Sequence, residues 1–485
     1  MPRARRWTPV EATVVLLAAA LGVACVEVGL TALVLVLALA LGTVCLHRPG
    51  WAVLAAYCGI LLDSRGLTSV RVAGLPMTLA KMLVATALVA HVVHCVVRRR
   101  AVWQWTPLTA GVLAVLGSML VSLSSVGNLR LAWVEVAGVL MLAALLHLVY
   151  AVIELEQLAS LLRWMAGFTI LVFVQVLVSA RQQGNFAAAQ EAWQTRETGA
   201  YTDPNAWATA LLVSSCFLLG ALARDPHRLA TPLMLALLVL FPACLVQSMS
   251  RAGLIGLAVV SPFLLWSVWP RRRLVLVALV PLLLVTPWVV NLEAAFLRYA
   301  TLMDPAFEAG IGGNSLRERQ ALLRAAVEVI RLHPLRGVGV GNFRLVAEEL
   351  TSGAVFKIAH NSYLTIVAEQ GVLGIVSHAW LAVAALRAAA IAAWYAPAGT
   401  LQGVGKGYLT ATLAFAAMAA TLNLATFALA WFYFGLGLVV TRGAVAARYA
   451  GDAACLPAPS SSNRCSISLS GIRSPLREAT SIPLR

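Results

Sequence analysis

His360 and Asn361 stand where a polar, arginine-rich stretch gives way to a long apolar run beginning at Ser362. A neutral imidazole titrating near pH 7 can take a proton from a hydroxyl under physiological conditions. Nearby arginines would hold its pKa down and keep the base free. The preceding stretch, Asn314–Arg344, carries six arginines against two glutamates. Guanidinium groups hold phosphates through paired, charge-assisted hydrogen bonds. Arginines beside a histidine therefore have the parts to grip a diphosphate and activate a hydroxyl. From the local residues alone, His360 reads equally as a catalytic base or as a satisfied structural histidine.

Helical phasing sorts these arginines. Ser315–Leu332 has helical periodicity, with Leu316, Leu323, Ala326, Val327 and Ile330 on one stripe and Arg317, Arg324, Glu328 and Arg331 opposite. Arg319 falls within the apolar stripe, so it is expected to point inward, where a buried cation needs an anionic partner. Arg317, Arg324 and Arg331 read first as a solvated face, with Arg317 kept as a weaker substrate contact. The helix should stop at His333-Pro334, and Gly337, Gly339 and Gly341 follow. They read as a tight loop closing against the bundle, with a substrate contact at Gly339 as the alternative. Ser250-Arg251 begins another helix where an arginine is costly unless partnered or snorkelling. Anion binding and interfacial anchoring both stay open for it. Lys81, Arg130, Asn361 and Tyr363 are weaker candidate contacts.

The elements that must position these residues are membrane helices. Of the 485 residues, 61% are hydrophobic and 12% charged, whereas a soluble domain is about one quarter charged. Apolar runs of membrane-spanning length occur at 11–26, 28–46, 50–63, 75–97, 106–126, 130–151, 158–178, 204–223, 229–247, 251–269, 273–290, 362–386, 407–425 and 427–447. The fold expected is an all-α polytopic bundle of 12 to 14 spans. The N-terminus reads as a retained anchor with no cleavage site. A net charge of +16 reflects basic cytoplasmic connections rather than a nucleic-acid face, since no run interleaves basic and aromatic residues.

With the N-terminus inside, the inner connections carry Arg3, Arg5 and Arg6, Arg48, Arg98 to Arg100, Arg163, Arg224 and Arg228, Arg271 to Arg273, Arg387 and Lys406, Arg442 and Arg448, and the short outer turns are poorer in basic residues. Two outer loops result, Ser179–Asp203 and Asn291–His360. The expected organisation is transmembrane helices over 1–290, a large periplasmic loop over 291–361, further helices over 362–450 and a disordered cytoplasmic tail over 451–485. The eight cysteines form no CxxC pair, which argues against a disulfide framework or zinc site. His91 and His94 lie three apart beside Cys95, with no nearby carboxylate to complete a metal site. The five aspartates form no DxD, and P-loop, HExxH and GxSxG motifs are missing. What is left is an external site of arginines and a histidine, a pairing that suits metal-free glycosyl transfer from a lipid diphosphate.

These residues resemble the bacterial O-antigen ligase family, whose defining region is shared with O-antigen polymerases and O-oligosaccharyltransferases. That family carries His-[Asn/Ser/Gln], nine residues, then Gly-x-x-[Gly/Thr/Tyr]. His360-Asn361, Ser362 to Gln370, Gly371 and Gly374 fit it in full. Arg319 to Leu323 matches its Arg-x-x-x-Leu element, and Pro334, Gly337 and Gly339 match its Pro-x-x-Gly-x-Gly. Ser250-Arg251 matches its outer-face arginine, and Tyr201 to Asn205 resembles its approach to the middle helix. The likeness covers roughly 200–375, and the N-terminal helices only by hydropathy. The expected span number exceeds the family's usual count, and the tail is an addition.

The resemblance implies a C-type glycosyltransferase fold and an undecaprenyl-diphosphate glycan as donor, its diphosphate held by Arg251 and Arg319. His360 would deprotonate an acceptor hydroxyl, with lipid A–core the first choice of acceptor, and no metal, nucleotide or other cofactor is implied. Chain polymerisation and protein O-glycosylation use similar sites. A flippase for the same lipid-linked glycans is the competing class, though no internal repeat is visible; an anchored scaffold is the third.

Overall fold

A computed structural model describes residues 49–62, 70–72, 75–77, 79–182, 203–300, 315–351, 359–424 and 426–454. The helices are α1 (Pro49–Leu62), α2 (Leu79–Val97), α3 (Thr109–Ser122), α4 (Leu129–Val152), α5 (Leu155–Gln182), α6 (Pro204–Leu222), α7 (Ala230–Gln247) and α8 (Arg251–Val268). They continue with α9 (Arg272–Val289), α10 (Leu292–Ala300), α11 (Ser315–Leu332), α12 (Phe343–Leu350), α13 (Ser362–Tyr395), α14 (Thr400–Ala419) and α15 (Ala428–Ala454). A small antiparallel ribbon pairs β1 (Val70–Val72) with β2 (Leu75–Met77), Val70 opposite Met77. Eight described stretches are long and apolar enough to cross a membrane, and two shorter helices are apolar as well. One stretch, Arg251–Val289, contains both α8 and α9. Val290, at the end of α9, packs with Met249, just before α8, so the two helices run in opposite directions as separate passes. The chain is a polytopic helical membrane protein.

Twelve of the expected spans correspond to described helices, and those at 11–26 and 28–46 lie outside the described residues. Several differ in their limits. The span expected from 75 begins only at Leu79, because 75–77 pair in the ribbon. The span expected at 362–386 continues to Tyr395. That expected at 407–425 is the helix Thr400–Ala419. Gly403, Gly405, Lys406 and Gly407 dilute the hydropathy of its first turns, yet they are buried by packing. The tail was expected to begin at 451, but α15 runs on to Ala454; the remainder lies outside the described residues.

The bundle is built around α6, buried along nearly its whole length. Small residues let backbones approach closely where lipid offers no hydrophobic driving force. A Cβ at Gly220 of α6 would lie 2.5 Å from the Gly407 Cα of α14, so these two helices cross almost backbone to backbone. Deeper in, the Tyr57 hydroxyl meets Thr169 Oγ1 at 2.6 Å and the Tyr433 hydroxyl at 3.1 Å, joining α1, α5 and α15 through a satisfied buried polar contact.

The helix connections divide into two ends. At one end Arg163 pairs with Asp225 at 2.8 Å. Arg271 donates to the Asp225 carbonyl and to Thr231, Arg224 Nε donates to Gln402, and Arg442 donates to the Ile153 carbonyl. At the other end four helices begin under side-chain caps: Asn128 on α4, Asp203 on α6, Ser250 on α8 and Asn361 on α13. Their N-termini, the positive ends of the helix dipoles, face that end.

Candidate active site

Arg251 opens α8 and is only 9% exposed. Its position is fixed from below by Ser250, whose Oγ accepts from Gly253 N–H at 3.1 Å and donates to Asn205 Oδ1 at 2.8 Å. Asn205 in turn donates its backbone N–H to the Asp203 cap at 2.8 Å. The approach to the middle helix and the outer-face arginine, separate features in the sequence, are therefore one hydrogen-bonded unit. Arg298 on α10, not singled out from the sequence, is also buried at this end, on a helix packed beside Met249.

Arg319 is half-buried on α11, on the face that packs inward. That face differs from the expected stripe. Leu322, Ala325, Ala326 and Val329 are buried, whereas Leu323 and Val327 are exposed. The helix docks through its alanines because its partners, Phe343 and Ala347 of α12 and Ala368 of α13, come close on that side. Arg319 precedes Leu322 by one turn and keeps its place on the docking face. Arg317, Arg324 and Arg331 are exposed, with Arg331 3.9 Å from Glu328.

His360 is half-buried with φ of +49°, a left-handed conformation that costs a non-glycine residue energy and persists where its surroundings enforce it. Those surroundings are on either side of it. Ala359 belongs to the same buried cluster as Leu322. Asn361 caps α13, accepting from Leu364 N–H at 3.1 Å. Ser362 Oγ donates to the Leu422 carbonyl at 2.7 Å and accepts from Leu424 N–H at 2.8 Å. Tyr363 donates its hydroxyl to the Ala416 carbonyl at 2.9 Å, so both candidate contacts flanking the histidine also carry structural bonds. The end of α14 that holds Tyr363 reaches α8 as well, where Met418 lies against Gly256. The C-terminal turns of α14 thus stand between the helix of Arg251 and the helix of His360. Arg130, at the start of α4, is exposed, and Lys81, near the start of α2, is half-buried.

The glycine loop serves to lock the polar segment onto α13. Gly371 interrupts that helix with φ of +62° and ψ of −151°, and a Cβ there would collide with the Leu335 carbonyl. Reciprocally, a Cβ at Gly337 would collide with the Glu369 carbonyl. The interruption leaves carbonyls of α13 free to accept from the loop: Val338 N–H reaches Ala368 O and Gly339 N–H reaches Glu369 O, each at 2.9 Å. Gly339 thus commits its amide to closing the loop, the first of its two readings.

Glu369 was not singled out from the sequence, where it is one of the nine residues between histidine and glycine. It is 6% exposed, and its carboxylate accepts from Phe343 N–H at 3.3 Å. Beside it a cleft of about 550 Å³, counted with its open mouth, mixes apolar residues such as Met119 and Val139 with Glu135, Arg344, Gln370 and His378. Arg344 lies 3.7 Å from Glu135 and donates to the Gly341 carbonyl. Gln370 accepts from Ser118 at 2.8 Å. A lone carboxylate in an apolar run beside a glycine was the available signal for Glu369. Its partners come from α12 and could not be read locally.

Residues 234–379 match the model of the family described as O-Antigen ligase. No curated protein matches the chain. The matched region runs from α7 to α13 and contains Arg251, Arg319, His360, Glu369 and Gly371. Over that stretch this polytopic membrane protein is similar to the O-antigen ligase family.

Proposed function

We propose that the protein transfers a glycan from a lipid diphosphate, undecaprenyl diphosphate by the family resemblance, to an acceptor hydroxyl at the bundle end that carries His360. What supports this reading is that Arg251, Arg319 and His360, distant in sequence, sit on elements that meet at this end, within the region matching the family. Four capped helix N-termini face the same end and favour an anionic group.

In this reading Arg251 and Arg319 hold the diphosphate, and the His360 imidazole accepts the proton of the acceptor hydroxyl. The hydroxyl oxygen bonds to the anomeric carbon as the bond from that carbon to the diphosphate breaks, inverting the centre. The arginines stabilise the charge gathered on the departing lipid diphosphate. The proton on His360 then passes to solvent. No step calls for a metal or nucleotide. The basic connections at the opposite end favour a cytoplasmic position for that end, which sets the site toward the periplasm of an inner membrane. Lipid A–core is the acceptor we favour, with chain polymerisation and protein glycosylation as neighbouring outcomes.

The test is the full chain in lipid nanodiscs with an undecaprenyl-diphosphate glycan and lipid A–core. Release of lipid diphosphate coupled to glycan transfer is expected from the wild type and not from His360→Ala or Arg319→Ala. Full transfer by His360→Ala would overturn the mechanism. Glycan crossing the bilayer without transfer would favour a flippase.

A further inference from the structure

The end of the bundle opposite His360 holds two cations that no carboxylate among the described residues neutralises. Arg224 follows α6, and Lys406 lies on the second turn of α14, only 9% exposed. The backbone crossing forces them together. A Cβ at Gly403 would touch Gly220 O at 2.6 Å and Arg224 Cβ at 3.1 Å, so α14 approaches α6 closely where Arg224 leaves it. Lys406 follows Gly403 by about one turn on the same side of α14, so both cations stand at this crossing.

Neither cation has an ion-pair partner among the described residues. Arg224 Nε is held by the neutral Gln402 at 3.0 Å, and its buried Nη1 has no hydrogen-bond partner. The adjacent carboxylate is already used, since Asp225 pairs with Arg163 and accepts from His227 N–H. Lys406 Nζ sits 4.2 Å from the centre of the Trp266 ring, whose neighbour Trp394 is 5.8 Å away and exposed. Burial also pushes the Arg224 guanidinium below its ordinary pKa. Like charges drawn together without a counter-charge are costly near a membrane, and an anion between them removes that cost.

We propose that Arg224 and Lys406 bind the phosphate of an anionic phospholipid. The aromatic side chains identify the source as lipid. Trp269, Trp394 and Tyr395 are exposed at the same end, where tryptophan and tyrosine occupy the headgroup level. Arg272 and Arg448 stack on Trp269 and Tyr395 at 5.1 and 5.0 Å. Basic pockets between helices at this depth bind anionic headgroups.

The test is native mass spectrometry of the detergent-purified full chain, titrated with phosphatidylglycerol or phosphatidylcholine. The wild type should retain phosphatidylglycerol about tenfold better than phosphatidylcholine. Arg224→Gln with Lys406→Gln should abolish that preference, and Arg224→Lys with Lys406→Arg should keep it. Lys406→Gln alone, which leaves the Arg224–Gln402 bond in place, should weaken it severalfold. Phosphatidylglycerol should also raise the melting temperature of the wild type and not of the double variant. Equal retention of both lipids, or an unchanged preference in Lys406→Gln and the double variant, would overturn the proposal. So would displacement of phosphatidylglycerol by equimolar inorganic phosphate, which would make a soluble anion the ligand.

Discussion

Gly337 rests against the carbonyl of Glu369 so closely that neither a side chain at 337 nor a regular helix at 369–371 is possible. This contact fastens the arginine-bearing segment to the helix that His360 begins. It makes the placement of the histidine depend on a loop that never touches it in sequence.

Gly337→Ala and Gly371→Ala should each destabilise the fold strongly. Both have positive φ, +66° and +62°, and both would meet backbone atoms that cannot move aside. Gly399→Ala is the control: φ is +96° with nothing within 4 Å, so its cost should stop at backbone strain of about 1–3 kcal/mol. Thermal unfolding in detergent should rank Gly399→Ala well above the other two.

His360→Gly and His360→Ala should both lose transfer, and the glycine variant should be the more stable of the two. Both remove the same imidazole, and only glycine adopts φ of +49° without penalty, a difference of about 1 kcal/mol. Melting temperatures beside transfer rates check this, and a glycine variant that melts at or below the alanine variant would refute the assignment of strain.

Glu369→Gln should be tolerated and Glu369→Leu should not. Glutamine keeps an acceptor for Phe343 N–H, whereas leucine leaves a buried amide unsatisfied at about 1–3 kcal/mol. Comparing urea or thermal unfolding of the two variants reads the difference directly.

Asn205→Ala should impair transfer more than stability. It removes the acceptor that holds Ser250 ahead of Arg251 while leaving the cap bond to Gly253 intact. Ser250→Ala removes both and should cost about 1 kcal/mol of stability as well. A double-mutant cycle with Arg251→Lys should show strong coupling for Asn205, and additivity would argue against a positioning role.

Composition and periodicity, read along the chain, already determine a polytopic helical bundle with basic connections on one side. They also mark His360, Arg251 and Arg319, because apolar runs of fixed length and isolated polar residues are local properties. The start of α14 was misjudged, since Gly403, Lys406 and Gly407 look polar along the chain but are buried by the crossing with α6. The docking face of α11 was rotated for a similar reason: Leu323 and Val327 are apolar, yet Ala325 and Ala326 are the residues small enough to let α12 and α13 approach. Only the tertiary structure decided that Asn205 holds Ser250, that Ser362 ties His360 to the turn before α15, and that Glu369 receives the glycine loop. Each is a contact between residues far apart in sequence, and hydrogen-bond partners follow from the distances that packing sets, which no pattern along the chain encodes.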